Sequence, residues 1–159
     1  MNGQYLNDYL KKYYTDSLEE EIVLNKIDKG IIAHLRLIGN NESIRPIFSK
    51  KNKDSIDRYN HSYLSIAYES NIEKKLLTVV KPYFLSKYNS GRNYECNCIE
   101  IKPYIKEERA ITEENRGSKW QIDSDYFNVN HIRIDLKKGT NELHNQFWME
   151  LSTMLSDLV

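Results

Sequence analysis

Apolar residues recur along the chain at two different periods, and each change of period marks a new element. Tyr5, Leu6, Tyr9, Leu10 and Tyr13 fall three and four residues apart, which predicts a short amphipathic helix over 4–14. Ser17 followed by Glu20 matches a capping box, so a helix can begin there; equally, 21–27 and 31–38 can form a hairpin around Asp28-Lys29-Gly30. The alternation of Ala33, Leu35 and Leu37 with His34 and Arg36 favours strand for 31–38. Gly39-Asn40-Asn41, Pro46 and the Lys50-Lys51-Asn52-Lys53 cluster mark 39–60 as a long surface loop around a brief strand at 44–48. Alternation returns over 62–68, where Tyr63, Ser65 and Ala67 oppose Leu64, Ile66 and Tyr68. From Asn71 to Tyr88 the period is helical, with Ile72, Leu76, Leu77, Val79, Val80, Tyr83 and Phe84 covering about half the circumference. Pro82 lies on the far side, where it bends the helix or ends it near Val80, and Glu73 stands inside the apolar arc.

Residues 94–105, 119–127 and 130–137 read as strands, separated after the first by a charged, exposed excursion at Lys106–Ser118. The last strand sets Ile132, Ile134 and Leu136 against a wet face of His131, Arg133, Asp135 and Lys137. Gly139-Thr140 ends the sheet, and a final helix over 141–158, capped by Thr140, groups Leu143, Phe147, Trp148, Leu151, Met154, Leu155 and Leu158 on one side. His144 falls within that stripe and reads as a hydrogen-bonded core side chain. Helices mixed with antiparallel-type strands, without regular βαβ alternation, predict an α+β fold. We expect one domain over 1–159: a mainly antiparallel sheet, helices packed on one face, and a C-terminal amphipathic helix.

Composition narrows the classes. At 159 residues, 41 of them Leu, Ile, Val or Phe, the chain has enough apolar content to fold. No stretch approaches the roughly 18 apolar residues that span a bilayer, and Met1–Tyr14 lacks the apolar run of a secretory signal, so the expectation is a cytoplasmic protein without membrane association. Twenty-three basic and 23 acidic residues cancel, which argues against non-specific attraction to nucleic acid or anionic lipid. Cys96 and Cys98, two apart on a strand, share a face without the approach a relaxed disulfide needs and read as free thiols. With no second cysteine pair and no His-x-x-x-His, no metal site and no cofactor are expected. The 12 tyrosines accompany an excess of Asn, Lys and Ile typical of AT-rich coding, so tyrosine abundance is not by itself a binding signal.

One constellation carries catalytic chemistry. An acid, one spacer and a lysine on a strand share a face, where the acid can hold Mg²⁺ and the lysine can steady a phosphate or an attacking water. Glu73-Lys74-Lys75, Glu100-Ile101-Lys102 and Asp135-Leu136-Lys137 all fit, although chance alone predicts about two such triplets at this composition. Asp125 precedes Asp135 by ten residues across a predicted hairpin, so Asp125, Asp135 and Lys137 can converge, with Glu73 on an upstream helix. Over roughly 70–158 that arrangement resembles the core of the PD-(D/E)XK nuclease superfamily. The resemblance implies Mg²⁺-dependent phosphodiester cleavage, with Asp125, Asp135, Lys137 and Glu73 as catalytic residues. The chain departs from the pattern in having Ser124 before the first acid in place of proline and no strand after the final helix.

Other enzyme templates are missing: no Gly-x-Ser-x-Gly, no phosphate-binding glycine loop and no His-Glu-x-x-His. The leading expectation is therefore a small protein-binding module without catalysis, such as an inhibitor, a toxin antidote (immunity protein) or an adaptor. Its protein partner would meet the aromatic candidates Trp120, Tyr126, Tyr59 and Tyr63, set among charged loops of both signs. The nuclease, requiring Mg²⁺, is the alternative.

Overall fold

A computed structural model describes residues 4–53, 56–103 and 128–159. The chain forms an α+β fold built on a four-stranded antiparallel sheet of order β1-β2-β4-β3, with β1 at Ile44–Lys50, β2 at His61–Tyr68, β3 at Tyr94–Ile101 and β4 at His131–Lys138. The predicted excursion at Lys106–Ser118 and the predicted strand at 119–127 lie outside the described residues.

Helix α1, Asp8–Val23, starts later and runs further than the tyrosine spacing suggested. Asn7 caps it, its Oδ1 accepting from the Leu10 amide at 2.9 Å. Ser17 therefore sits mid-helix and the capping-box reading fails. At the far end Asn25 takes a left-handed φ of 57°, while the Asn25 and Lys26 amides return to the carbonyls of Ile22 and Glu21. This pair of reversed bonds is a Schellman stop, which asparagine tolerates better than most side chains.

Residues 31–38 are helix, not strand. Asp28 accepts from the Gly30 amide at 2.7 Å and opens a 3₁₀ turn, Lys29–Ile31, that leads into α2, Ile32–Gly39. The buried positions Ile31, Leu35 and Ile38 are spaced four and three apart, so the burial stripe obeys the helical period that the coincidental alternation masked. The expected loop at 39–60 contributes all of β1, and Asn52 and Asn60 within it are buried.

After β2 a helical run passes from α3, Glu73–Lys75, through a π turn at Leu76–Val80 into α4, Lys81–Lys87. The Lys81 amide reaches the carbonyl of Leu76, five residues back, and the run continues through the exposed Pro82, which has no amide to offer. Helix α5, Asn141–Ser156, is capped by Thr140 Oγ1, which accepts from the Leu143 amide at 3.1 Å. Gly139 turns the chain into it at φ 94°; a Cβ there would stand 2.7 Å from Leu143 and 3.2 Å from Tyr94.

The main core lies between the sheet and α2 to α5, where Leu64, Ile66, Tyr68, Ile132, Ile134 and Leu136 meet Leu35, Leu76, Phe84, Phe147, Trp148 and Leu151. A second cluster packs Leu6, Leu10 and Tyr14 of the N-terminal segment on Ile47 and Ala67. In the β2 pleat Ala67 points away from the side taken by Leu64, Ile66 and Tyr68, so α1 covers part of the other sheet face.

Candidate functional site

Strand β4 is interior, with β2 on one side and β3 on the other, so its polar side is not the wet face the alternation suggested. His131 and Asp135 are buried, Arg133 is half-buried, and only Lys137 is exposed. The register sets Tyr63 opposite Asp135 and Asn97 beyond it, His61 opposite Lys137 and Glu95 beyond it, and Ser65 opposite Arg133 and Ile99 beyond it. All of these share one face of the sheet because side chains alternate by twos.

Asp135, only 4 % exposed, is the hub of this face. Arg133 Nε and Nη2 donate to Asp135 Oδ2 and Oδ1 at 3.0 and 3.1 Å, and His61 Nε2 donates to Oδ1 at 2.9 Å. The guanidinium lies over the Tyr63 ring, 4.0 Å from its centroid, and the His61 ring stands 5.5 Å from the same ring. A planar guanidinium held by two bonds to one carboxylate and stacked on an aromatic face has lost most of its rotamer freedom before any ligand arrives. Beyond the hub, Glu95, Asn97 and Ile99 of β3 are exposed.

Tyr59 occupies a 3₁₀ turn, Asp57–Tyr59, that precedes β2. It is 64 % exposed, with the Arg58 guanidinium 4.7 Å from its ring centroid. Asp57 and Arg58 also line an open cavity of about 440 Å³ with Arg92, Tyr94, Lys138 and Thr140, at the end of the sheet where Tyr94 pairs with Lys138. Both described aromatic candidates, Tyr59 and Tyr63, thus carry an arginine over the ring. Trp120, Tyr126 and Asp125 lie outside the described residues.

Glu73 is placed elsewhere. Its carboxylate accepts from the hydroxyls of Tyr5 and Tyr68, each at 3.1 Å, and pairs with Lys102 at 3.3 Å. Burial first, and then the Glu73 charge, push the Tyr68 phenol above its ordinary range, so the hydroxyl stays a donor. Tyr68 belongs to the helical side of the sheet, whereas Asp135 faces the other side opposite Tyr63, about 17 Å away along β2 at roughly 3.3 Å per residue. The structure does not bring Glu73 and Asp135 together. Glu100, the acid of another triplet, pairs with Lys81 at 3.1 Å. Among the described residues no group of three His, Cys, Asp or Glu side chains is disposed to hold a metal ion.

His144 is a satisfied core histidine. The Asn52 amide donates to Ser62 Oγ at 3.0 Å, Ser62 Oγ lies 2.7 Å from His144 Nδ1, and His144 Nε2 lies 2.8 Å from the Lys138 carbonyl. The Lys138 carbonyl can only accept, so the hydrogen is on Nε2 and Ser62 donates to Nδ1. Cys96 and Cys98 are free thiols on the helical side of β3, and the Cys98 contact together with burial raises the Cys96 thiol.

His61 and Arg58 carried no signal in the sequence, since each acquires its role from a neighbour set by register or turn. Among the described residues no helix is long and apolar enough to cross a membrane. No protein-family model, curated protein or solved structure matches this chain.

Proposed function

We propose that the chain is a cytoplasmic protein-binding module, acting as an inhibitor, antidote or adaptor without catalysis, and that it docks its partner on the sheet face around Tyr63 and Arg133. The observation that carries this reading is the pre-ordered Tyr63–Arg133–Asp135–His61 cluster. Tyrosine and arginine dominate the energetics of protein interfaces, and ordering them beforehand lowers the entropy lost on association. Exposed Glu95, Asn97, Ile99 and Lys137 supply a mixed rim beside it. The nuclease alternative asks Asp135 to ligate Mg²⁺, and there an arginine and an imidazole already on both carboxylate oxygens compete with a divalent cation.

Alanine substitution of Tyr63 and of Arg133 tests the reading. Each is expected to weaken partner binding by about 2 kcal/mol or more while the fold is retained. Unchanged affinity in both variants refutes this choice of face. Mg²⁺-dependent DNA cleavage by the purified chain, abolished by Asp135→Asn, would replace the reading with the alternative.

A further inference from the structure

The two edges of the sheet are treated differently. On the β1 edge Pro46 withholds an amide, the pairing is broken by a bulge between Pro46 and Phe48, and α1 packs alongside. These are devices that stop a strand from pairing with another chain. On the β3 edge only the first half is blocked. The side-chain amide of Asn89 imitates a neighbouring strand: its Nδ2 donates to the Cys96 carbonyl at 3.1 Å, and its Oδ1 accepts from the Cys96 amide at 3.0 Å. The Tyr94 carbonyl is taken by the Ser90 amide at 3.1 Å. Because Cys96 directs its main-chain groups away from β4, the pleat directs those of Cys98 and Glu100 outward as well. Among the described residues these two rungs have no partner. Ile99, between them, is 47 % exposed on the opposite face.

We propose that this half-edge pairs with the same half-edge of a second copy of the chain, antiparallel and centred on Ile99, joining two sheets into one of eight strands. In that register Cys98 of each copy faces Glu100 of the other, so both free amides and both free carbonyls on each strand are satisfied in four reciprocal hydrogen bonds. A two-fold axis at Ile99 makes the contact isologous and so self-closing, and the Asn89 amide keeps the pairing from extending to Cys96. Ile99 meets its own copy in the closely spaced type of pair, covering apolar surface that the monomer exposes. On the other face Glu100 of one copy stands beside Cys98 of its partner, next to the Lys81 that already holds the cis Glu100 at 3.1 Å. The two lysines and two glutamates therefore alternate in sign across the axis. The proposal concerns the sheet edge: it shares Ile99 with the rim of the docking face but rests on no contact made by Tyr63 or Arg133.

Two measurements test it on the whole chain. Sedimentation over a concentration series is expected to show a mass rising from 18.9 kDa toward twice that value, and Ile99→Lys, which sets two cations opposite each other, is expected to weaken the dimer at least tenfold. A single mass of 18.9 kDa up to millimolar concentration overturns the proposal. In a Cys98→Ser background, Ile99→Cys places two thiols on the axis, whereas Asn97→Cys places them four residues out of register, about 13 Å apart along the strands. Oxidation is expected to link the first into a covalent dimer at least tenfold faster than the second. Equal rates overturn the register even if a dimer forms, and neither result depends on binding by Tyr63 or Arg133.

Discussion

Asp135→Ala is the perturbation that most directly probes the polar face. The substitution removes the acceptor of three hydrogen bonds, two from a guanidinium and one from an imidazole. Bonds to charged groups contribute about 1.5–3 kcal/mol each when partners are buried. Here the donors keep access to water, with side chains 34 % exposed at Arg133 and 24 % at His61, so each can be resolvated and the three bonds cannot be summed. The expected net loss is about 2 kcal/mol, close to that of one well-made bond to a charge. For a domain of this size it corresponds to about 4–8 °C in the midpoint of thermal unfolding. Urea denaturation of the wild type, Asp135→Ala, Arg133→Ala and the double variant gives the coupling between the two side chains, expected at about 1–2 kcal/mol. Asp135→Asn retains one acceptor oxygen and should fall between wild type and alanine. Coupling within about 0.3 kcal/mol of zero would show that the carboxylate does not hold the arginine in place and that the face is not pre-ordered.

Other consequences follow from the buried groups. Ser62→Ala strands the Asn52 amide and His144 Nδ1 in the core and should cost about 3 kcal/mol in chemical denaturation, against less than about 0.5 kcal/mol for an exposed serine such as Ser86. Burial holds His34, His131 and His144 below the usual imidazole value. The unfolded chain therefore takes up protons first as pH falls through about 6.5, and stability should be constant above that pH and decline below it until the lowered folded values are reached. Thermal melts between about pH 8 and 5 check this, and a midpoint that rises on acidification contradicts it. Asn89→Ala uncovers the Cys96 rung of β3 and is expected to strengthen self-association in sedimentation, whereas a weaker dimer would mean that the amide supports the edge rather than blocking it.

Periodicity was informative where an element was long. The helical run through 70–87, the strands β2, β3 and β4, and α5 with its Thr140 cap all follow the spacing of their apolar residues. It misled at 31–38, because eight residues with buried Ile31, Leu35 and Ile38 fit two periods at once and the neighbouring Asn25 stop and Asp28 turn decide between them. It also missed the interior position of β4. That position follows from pairing β2 with a strand more than sixty residues later, which no local pattern encodes. The same long-range register explains the candidate site. Asp135 and Tyr63 each stand out in the sequence, one as an acid before a lysine and the other as an aromatic, yet only the β2–β4 pairing sets them opposite each other and gives Arg133 and His61 their roles. Glu73 was legible as an anomaly in an apolar stripe; the two tyrosine hydroxyls and the lysine that accommodate it come from three separate parts of the chain.

The docking claim is tested most directly by comparing what wild type, Tyr63→Ala and Arg133→Ala retain from an extract of the cells of origin, with quantitative mass spectrometry and melting curves on all three. One protein is expected to be held in stoichiometric amount by the wild type and reduced at least tenfold by each substitution, with Tyr63→Ala melting within a few degrees of the wild type. A bound set that is the same for all three proteins would contradict it.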